Sequence, residues 1–324
     1  DKIDISQFDS SINYDCKKQI DKSIVYNEAK LLTQLPVYLT SAIFVRQNCK
    51  QPRYFTILMT GMENTPYNSG CILLQAYLPD SYPEKPLKIK CKTETIYGKF
   101  NPNILGDGKI FSSLLNTWAA NNSYEKWDPK TSSLYQVLVS FQTELFTQNP
   151  YFNGFNKEQT RNTIHGKQES TKYNQRVQMI TIAECMYKML KDPPKEFENI
   201  IKCHFFLKKE YIHSIFDKWL LLENFNVPDE YKMYKNFTLK KWISITKELI
   251  ENIDEKELEQ EYDSLSSSHD PPAETEAETE TETETVAVAV AVDENETEAE
   301  DDFNFDDFNF DFEDPNFEDV NFYD

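Results

Sequence analysis

The sequence lacks the usual signals of export and of membrane insertion. No amino-terminal stretch combines basic residues with an apolar run. The longest apolar run, residues 286–292, is far shorter than the ~20 residues that a membrane helix needs. We therefore expect a chain of the cytoplasm or nucleus that does not bind a membrane.

Paired cysteines and metal-ligand spacings are also missing. The six cysteines are widely spaced, and the four histidines form no metal-ligand pattern with them. These spacings predict reduced thiols, no metal site and no cofactor.

Charge is distributed very unevenly between the two ends of the chain. Residues 1–250 carry 26 acidic and 33 basic side chains, whereas residues 251–324 carry 29 acidic side chains and one basic side chain. The end is of low complexity, and we predict a disordered acidic tail over residues 254–324. Its Phe/Asn/Asp repeats suit docking on a basic apolar groove of a partner or of the chain's own body, although a purely solubilising tail is nearly as good an interpretation. The small basic excess of the body and the absence of a binding motif predict no nucleic-acid partner.

The order of apolar patterns predicts an α+β fold. A helix capped by Ser23 and ended by Pro36 comes first. Four strands joined by tight loops favour an antiparallel meander; they are predicted at residues 42–45, 54–60, 71–77 and 87–93. A helix beginning near Pro129 and Thr131 follows, with an apolar face that extends to Leu145. After a polar stretch over residues 153–171, further helical faces lie around residues 177–190, 211–222 and 239–253.

Several motifs occur in one order along this pattern. Residues 65–70 read Thr-Pro-Tyr-Asn-Ser-Gly, and residues 78–86 read Leu-Pro-Asp-Ser-Tyr-Pro-Glu-Lys-Pro. The prolines of the second motif stiffen a loop across the end of the sheet. Asn-Pro-Asn at residues 101–103, Gly-Lys-Ile-Phe-Ser-Ser-Leu at 108–114 and Trp-Asp-Pro at 127–129 complete the series.

Together these motifs resemble the core signature of the ubiquitin-conjugating enzymes. Segments at residues 116–118, 127–133, 136–140, 150–153 and 204–209 are similar to the very large conjugating enzymes, including the type fused to inhibitor-of-apoptosis repeats. The resemblance implies an N-terminal helix, a four-stranded antiparallel meander and C-terminal helices, here with an extra helical extension. We accordingly divide the chain into a flexible segment (1–22), a conjugating-enzyme core (23–152), a helical extension (153–253) and the tail (254–324).

One position departs from the family pattern. The family carries its catalytic cysteine eight residues after the second Asn of the Asn-Pro-Asn motif, and this chain has Phe111 there. Asn103 holds the position that the family uses to steady the loop and the oxyanion. Phenylalanine cannot form a thioester, so the resemblance predicts a catalytically inactive variant, or pseudoenzyme.

The resemblance also implies partners. They are ubiquitin or a ubiquitin-like protein, and an active conjugating enzyme or a ligase. The exposed face of the sheet is a candidate surface for ubiquitin. A second candidate surface comprises the two loops that carry Asp80, Ser81, Tyr82, Pro83, Trp127, Asp128, Pro129 and Lys130. These residues otherwise only shape the fold.

Activity remains the alternative interpretation. A transferase of this kind would use a non-standard residue or a partner's thiol. Ser112 and Ser113 are weak, unactivated nucleophiles, and Cys71 and Cys91 are interpreted as core residues of strands.

Overall fold

The computed structural model describes residues 21–48, 51–93, 100–118, 125–221, 239–256 and 258–260. The chain divides into two units, Asp1–Asp270 and Pro271–Asp324. The predicted flexible segment, apart from its last two residues, and the predicted tail beyond residue 260 lie outside the described residues, so these two predictions stay untested.

The first helix, α1, is Lys22–Leu32. Its N-cap is Asp21, whose side chain accepts a hydrogen bond from the main-chain N–H of Ser23 at 2.9 Å. The predicted Ser23 cap is wrong because a carboxylate two residues earlier already satisfies this first-turn donor.

Four strands form one antiparallel sheet in the order β1-β2-β3-β4, as predicted. They are β1 Ile43–Gln47, β2 Tyr54–Thr60, β3 Cys71–Tyr77 and β4 Lys88–Cys91. The loop between β2 and β3 closes through Gly61, whose N–H donates to the carbonyl of Gly70 at 2.9 Å. A Cβ at Gly61 would lie 1.8 Å from the Tyr67 carbonyl oxygen, so this close approach requires glycine.

Helix α2, Leu134–Glu144, packs beside α1. It begins later than the predicted start at Pro129 and Thr131. The Ser133 hydroxyl accepts the Gln136 N–H at 3.3 Å and is the N-cap, whereas Asp128 holds the preceding residues in a separate turn. The apolar face predicted for this helix is buried, from Leu134 to Phe141.

The carboxy-terminal helices are α3 Ile164–Ile180, α4 Lys188–Lys191, α5 Glu198–Leu207, α6 Lys209–Leu220 and α7 Leu239–Glu251. A π-helical segment, Thr181–Tyr187, joins α3 to α4. Short 3₁₀ turns occur at Ser113–Leu115, Pro150–Asn153, Glu158–Thr160 and Lys195–Phe197. No helix within the described ranges is both long and apolar enough to span a membrane.

Two features of this helical region differ from the sequence predictions. The polar stretch over residues 153–171 already contains the first turns of α3, which the Thr163 hydroxyl caps by accepting the Gly166 N–H at 2.9 Å. Helix α5 was not predicted, although its Ile201 and Phe205 are buried four residues apart.

The outer face of the sheet is covered over most of β2 and β3, so the prediction that this face is exposed is wrong for these two strands. Register places Arg46, Thr56 and Gln75 in one cross-strand row on this face. Thr56 and Gln75 are buried. The Arg46 Nε donates to the carbonyl of Glu196 at 3.3 Å, and its guanidinium lies 6.0 Å from the Phe197 ring centroid.

Helix α5 continues this cover. The Phe44 side chain belongs to the neighbouring row with Leu58 and Leu73, and it lines one apolar cavity with Ile200, Cys203 and His204 of α5. The His204 Nε2 donates to the Ser69 carbonyl at 3.0 Å, next to the start of β3. The segment from residue 195 to 208 therefore lies where the sequence predicted a free sheet face.

Candidate functional site

Two buried side chains, those of Asn101 and Tyr67, hold the Asn-Pro-Asn loop against the core. The amide nitrogen of Asn101 donates to the Leu145 carbonyl at 2.6 Å and contacts the Tyr67 hydroxyl at 3.3 Å. That hydroxyl donates to the Phe100 carbonyl at 2.9 Å. Asn101 and Tyr67 are fully buried, so these bonds are protected from water and hold the loop on the core.

The same amide group orients the residue that follows the proline. The Asn101 Oδ1 accepts the Asn103 N–H at 2.8 Å, and the Asn103 carbonyl accepts the Phe111 N–H at 2.8 Å. A bridge between the buried Ile104 and Ile110 closes the loop behind them. The structure thus places Asn103 directly beside Phe111, which are the two positions that the sequence motif linked.

Gly108 ties this loop to the edge of the sheet. Its φ is +83°, and a Cβ there would lie 2.1 Å from the Cys91 carbonyl oxygen. The Gly108 carbonyl accepts the Cys91 N–H at 2.9 Å. Glycine is required on both counts, so the loop frame depends on this residue.

The Phe111 side chain is half-buried at the end of the loop. Its ring centroid lies 6.0 Å from that of Trp118 and 5.6 Å from the Lys109 ammonium. An aromatic ring therefore lies eight residues after Asn103, where the resemblance implied a thiol.

Among the described residues, the two serines that follow Phe111 lack the features of an activated nucleophile. Ser112 is buried, and its hydroxyl has no hydrogen-bond partner among the described residues, so nothing within them activates it. Ser113 is half-buried and begins a 3₁₀ turn.

The strand cysteines are core residues, as the sequence predicted. Cys71 and Cys91 are both buried. Burial raises the pKa of the Cys71 thiol well above its ordinary value and raises the pKa of Cys91 to about 11. Both therefore stay protonated at neutral pH and react poorly.

Two of the predicted partner-contacting residues also support the fold. The Tyr82 hydroxyl donates to the Glu28 carboxylate of α1, and the Trp127 Nε1 donates to the Pro83 carbonyl at 2.7 Å. Tyr82 and Trp127 are buried, with ring centroids 5.6 Å apart. Their contacts join the proline loop to the loop before α2.

Glu28 is a site residue that the sequence prediction missed. Its second carboxylate oxygen accepts the Leu134 N–H at 3.0 Å, at the first turn of α2. Burial raises the pKa of this carboxyl, while the Tyr82 and Leu134 bonds oppose that shift. A signal for this role was its position in the helix, because Glu28 lies four residues after Ile24, which packs against the core. A charged residue on that helix face requires a partner.

The remaining predicted contact residues lie at or near the surface. Asp80 pairs with Arg53 at 2.8 Å. Asp128 organises its own turn by accepting the Lys130 N–H at 3.0 Å and the Thr131 hydroxyl at 3.1 Å. Asp128 and Lys130 are exposed, and Ser81, Pro83 and Pro129 are half-buried.

The model of the ubiquitin-conjugating enzyme family matches residues 24–181. Residues 24–181 are a ubiquitin-conjugating enzyme domain. The recognition made from the motifs is confirmed, and the observed fold agrees with it.

The relatives are conjugating enzymes of very different lengths. The human dual E2 ubiquitin-conjugating enzyme/E3 ubiquitin-protein ligase BIRC6 is 36% identical over 191 residues, which are 59% of this chain and 4% of that protein. A probable ubiquitin-conjugating enzyme E2 of Acanthamoeba polyphaga mimivirus is 34% identical over 244 residues, 72% of this chain and 17% of that protein. A putative ubiquitin-conjugating enzyme E2 of Arabidopsis thaliana is 32% identical over 188 residues, 58% of this chain and 56% of that protein. This chain therefore spans a small part of the length of the first two.

The match makes residues 24–181 similar to enzymes that conjugate ubiquitin. Within the described residues, no group of three or more His, Cys, Asp or Glu side chains could hold a metal ion.

Proposed function

We propose that this protein is a catalytically inactive member of the family that binds ubiquitin, or a ubiquitin-like protein, and a conjugating enzyme or ligase in the cytoplasm or nucleus. The observation that carries the proposal is the Phe111 ring, which lies at the end of a loop whose hydrogen bonds to the core and to the sheet are in place. The Asn101, Asn103 and Gly108 contacts that hold the loop are intact, while the thiol is absent.

The chemistry of the reaction supports inactivity. A thioester needs a nucleophile that is partly thiolate near pH 7 and a good leaving group in the next step. Phe111 offers neither property. Ser112 is buried without a base, and Cys91 is a buried, protonated thiol.

The covered sheet face restricts where a partner binds. Residues 195–208 lie on it, with His204 bonded to Ser69. On this proposal the partner therefore contacts the loops that carry Asp128 and Lys130, which are exposed and stand on a rigid turn.

Charging and binding assays test the two parts of this proposal separately. The full chain is incubated with activating enzyme, ATP and ubiquitin, and we expect no ubiquitin adduct that a reductant removes. A reductant-sensitive adduct on the wild-type chain would contradict inactivity and indicate a thioester on another cysteine. An adduct that resists the reductant but is cleaved by hydroxide would also contradict inactivity and indicate an ester on a serine such as Ser112 or Ser113. An adduct that forms only with a second conjugating enzyme present would indicate a partner's thiol.

Binding is measured by titrating each candidate partner, ubiquitin included, with the full chain. A double variant that reverses both charges, Asp128→Lys with Lys130→Glu, should weaken the complex about tenfold. Lys167→Glu, an exposed lysine of α3, is the matched control and should leave affinity unchanged. Equal affinity of all variants would remove these loops from the proposal.

A further inference from the structure

A groove of about 770 Å³ lies between the proline loop, β4 and the segment that precedes Phe111. Its walls come from three stretches of chain that the loop contacts hold together. The lining residues are Pro79, Ser81, Lys85, Pro86, Leu87, Lys88, Ile89, Lys90, Asp107, Lys109, Ile110, Leu115, Asn116 and Thr117.

The floor of the groove is apolar and firmly placed. Leu87, Ile89, Ile110 and Leu115 are each less than one-tenth exposed and belong to the hydrophobic core. The bridge between Lys90 and Lys109 fixes the spacing of the two walls. A preformed apolar floor of this kind favours large apolar side chains at little cost in ordering.

The rim has a strong excess of positive charge. Among the described residues that line the groove, four are lysines, two of them from β4, and Asp107 is the single acidic one. The Asp107 carboxylate accepts the main-chain N–H of Lys109 at 3.0 Å. The ammonium groups of Lys88 and Lys109 lie 5.5 Å and 5.6 Å from the ring centroids of Tyr77 and Phe111.

We propose that this groove binds an acidic peptide segment of a partner protein in which carboxylates alternate with phenylalanine or other large apolar side chains. The charge of the rim selects carboxylates, and the floor takes the apolar side chains. A purely apolar ligand would desolvate the lysines without pairing them, and a purely acidic ligand would leave the floor in water. An extended peptide turns successive side chains to opposite sides. A peptide in which acidic and apolar residues alternate therefore presents carboxylates to the rim and apolar side chains to the floor at the same time.

The inference does not depend on the lost thiol. Phe111 is not a lining residue of the groove, and none of the lining residues is placed in the family's chemistry. The peptide-binding test on the wild-type chain is therefore independent of the outcome of the charging assay.

Fluorescence anisotropy on the full chain tests the proposal. The probe is a fluorescein-labelled 12-residue peptide of alternating aspartate and phenylalanine. Two matched peptides replace every aspartate by asparagine or every phenylalanine by alanine. We expect both replacements to weaken binding at least about tenfold, and we expect added salt to weaken the parent peptide as it screens the lysines.

Variants of the groove supply the second arm. Lys85→Glu and Lys109→Glu, on opposite walls, should each weaken the parent peptide severalfold, and Lys167→Glu on α3 should not. Circular dichroism checks that each variant is folded. Unchanged affinity in both groove variants, or equal binding of the asparagine peptide, would overturn the proposal.

Two further outcomes would overturn the proposal of a partner peptide, because each would indicate a different occupant of the groove. One is probe binding that appears only after the phenylalanines of residues 303–317 are replaced by alanine, which would indicate that this chain's own sequence competes. The other is concentration-dependent self-association that Lys109→Glu abolishes, which would indicate a second copy.

Discussion

On the proposed function, the Phe111 loop and the outer sheet face depart from an active conjugating-enzyme domain in different ways. At the loop, the frame is complete, from the Asn101 amide to the Gly108 turn, and one side chain is changed. At the sheet face, the strands are regular, and a separate segment of chain covers them. A single substitution can reverse the first change, whereas the second requires displacement of a helix.

On this proposal, the loop shows how catalysis is lost while its scaffold is kept, and the sheet face shows how access to a surface is lost. The loop frame consists of buried hydrogen bonds that would cost stability if they were broken, so they persist without catalysis. The cover is held by bonds to main-chain carbonyls together with apolar packing around Phe197. A binding role is compatible with both observations.

Cysteine protection tests the covered face and has the largest expected effect. Cys71 lies on this face, paired with Thr60, and is fully buried. Its alkylation by iodoacetamide should be at least about a thousandfold slower in the native chain than in urea, since access requires an opening that costs ~4 kcal/mol or more. Mass spectrometry of each cysteine measures the rates.

Cys203 of α5, which is half-exposed, provides the internal control and should react much faster in the native chain. Comparable native rates for Cys71 and Cys203 would contradict the cover.

Removal of the Glu28 carboxylate tests the contacts that hold the loops before α2. Glu28→Ala leaves the Tyr82 hydroxyl and the Leu134 N–H without their partner. We expect a loss of about 2–4 kcal/mol in the free energy of unfolding, measured by urea denaturation. Glu28→Gln keeps an acceptor and should cost less than half as much; equal losses would assign the effect to packing.

The pH dependence of stability tests how α5 is attached to the sheet. Burial lowers the pKa of His204 to about 4 from 6.5, with nearby Lys208 acting in the same direction and the Ser69 bond opposing it. The unfolded chain therefore binds more protons between these pH values, and stability should fall as pH decreases from about 6.5 towards 4.

The expected loss is at most about 3 kcal/mol, and the partial exposure of His204 reduces it. His204→Gln should flatten this part of the pH profile, in urea denaturation at each pH. The same slope in both proteins would contradict the assignment to His204.

Much of the inner architecture could be predicted from sequence because its signals are local. Strand-like runs bounded by turn residues placed β2 and β3, and the apolar period placed α2 to within a turn. Helix starts were less predictable, since Asp21 and Ser133 compete with other capping residues nearby and only the three-dimensional bonds select among them.

The site was predictable in its positions and less so in its roles. Motif spacing placed Asn103 beside Phe111, and the structure agrees. Tyr82 and Trp127 were expected to contact partners, which stays a prediction, and the structure adds that they hold two loops together. Glu28 and the cover by α5 depend on partners more than 50 residues away in sequence, for which a single sequence carries no pairing signal.

The central claim is that the domain keeps a competent scaffold and lacks only its nucleophile. The most direct test is a thioester assay on Phe111→Cys beside the wild-type chain, with activating enzyme, ATP and ubiquitin, and with Ser112→Cys as the matched control for an introduced thiol. The account predicts a reductant-sensitive ubiquitin adduct on Phe111→Cys and none on the wild-type chain or on Ser112→Cys, whose side chain is buried. An adduct on the wild-type chain, or none on a folded Phe111→Cys, would contradict it.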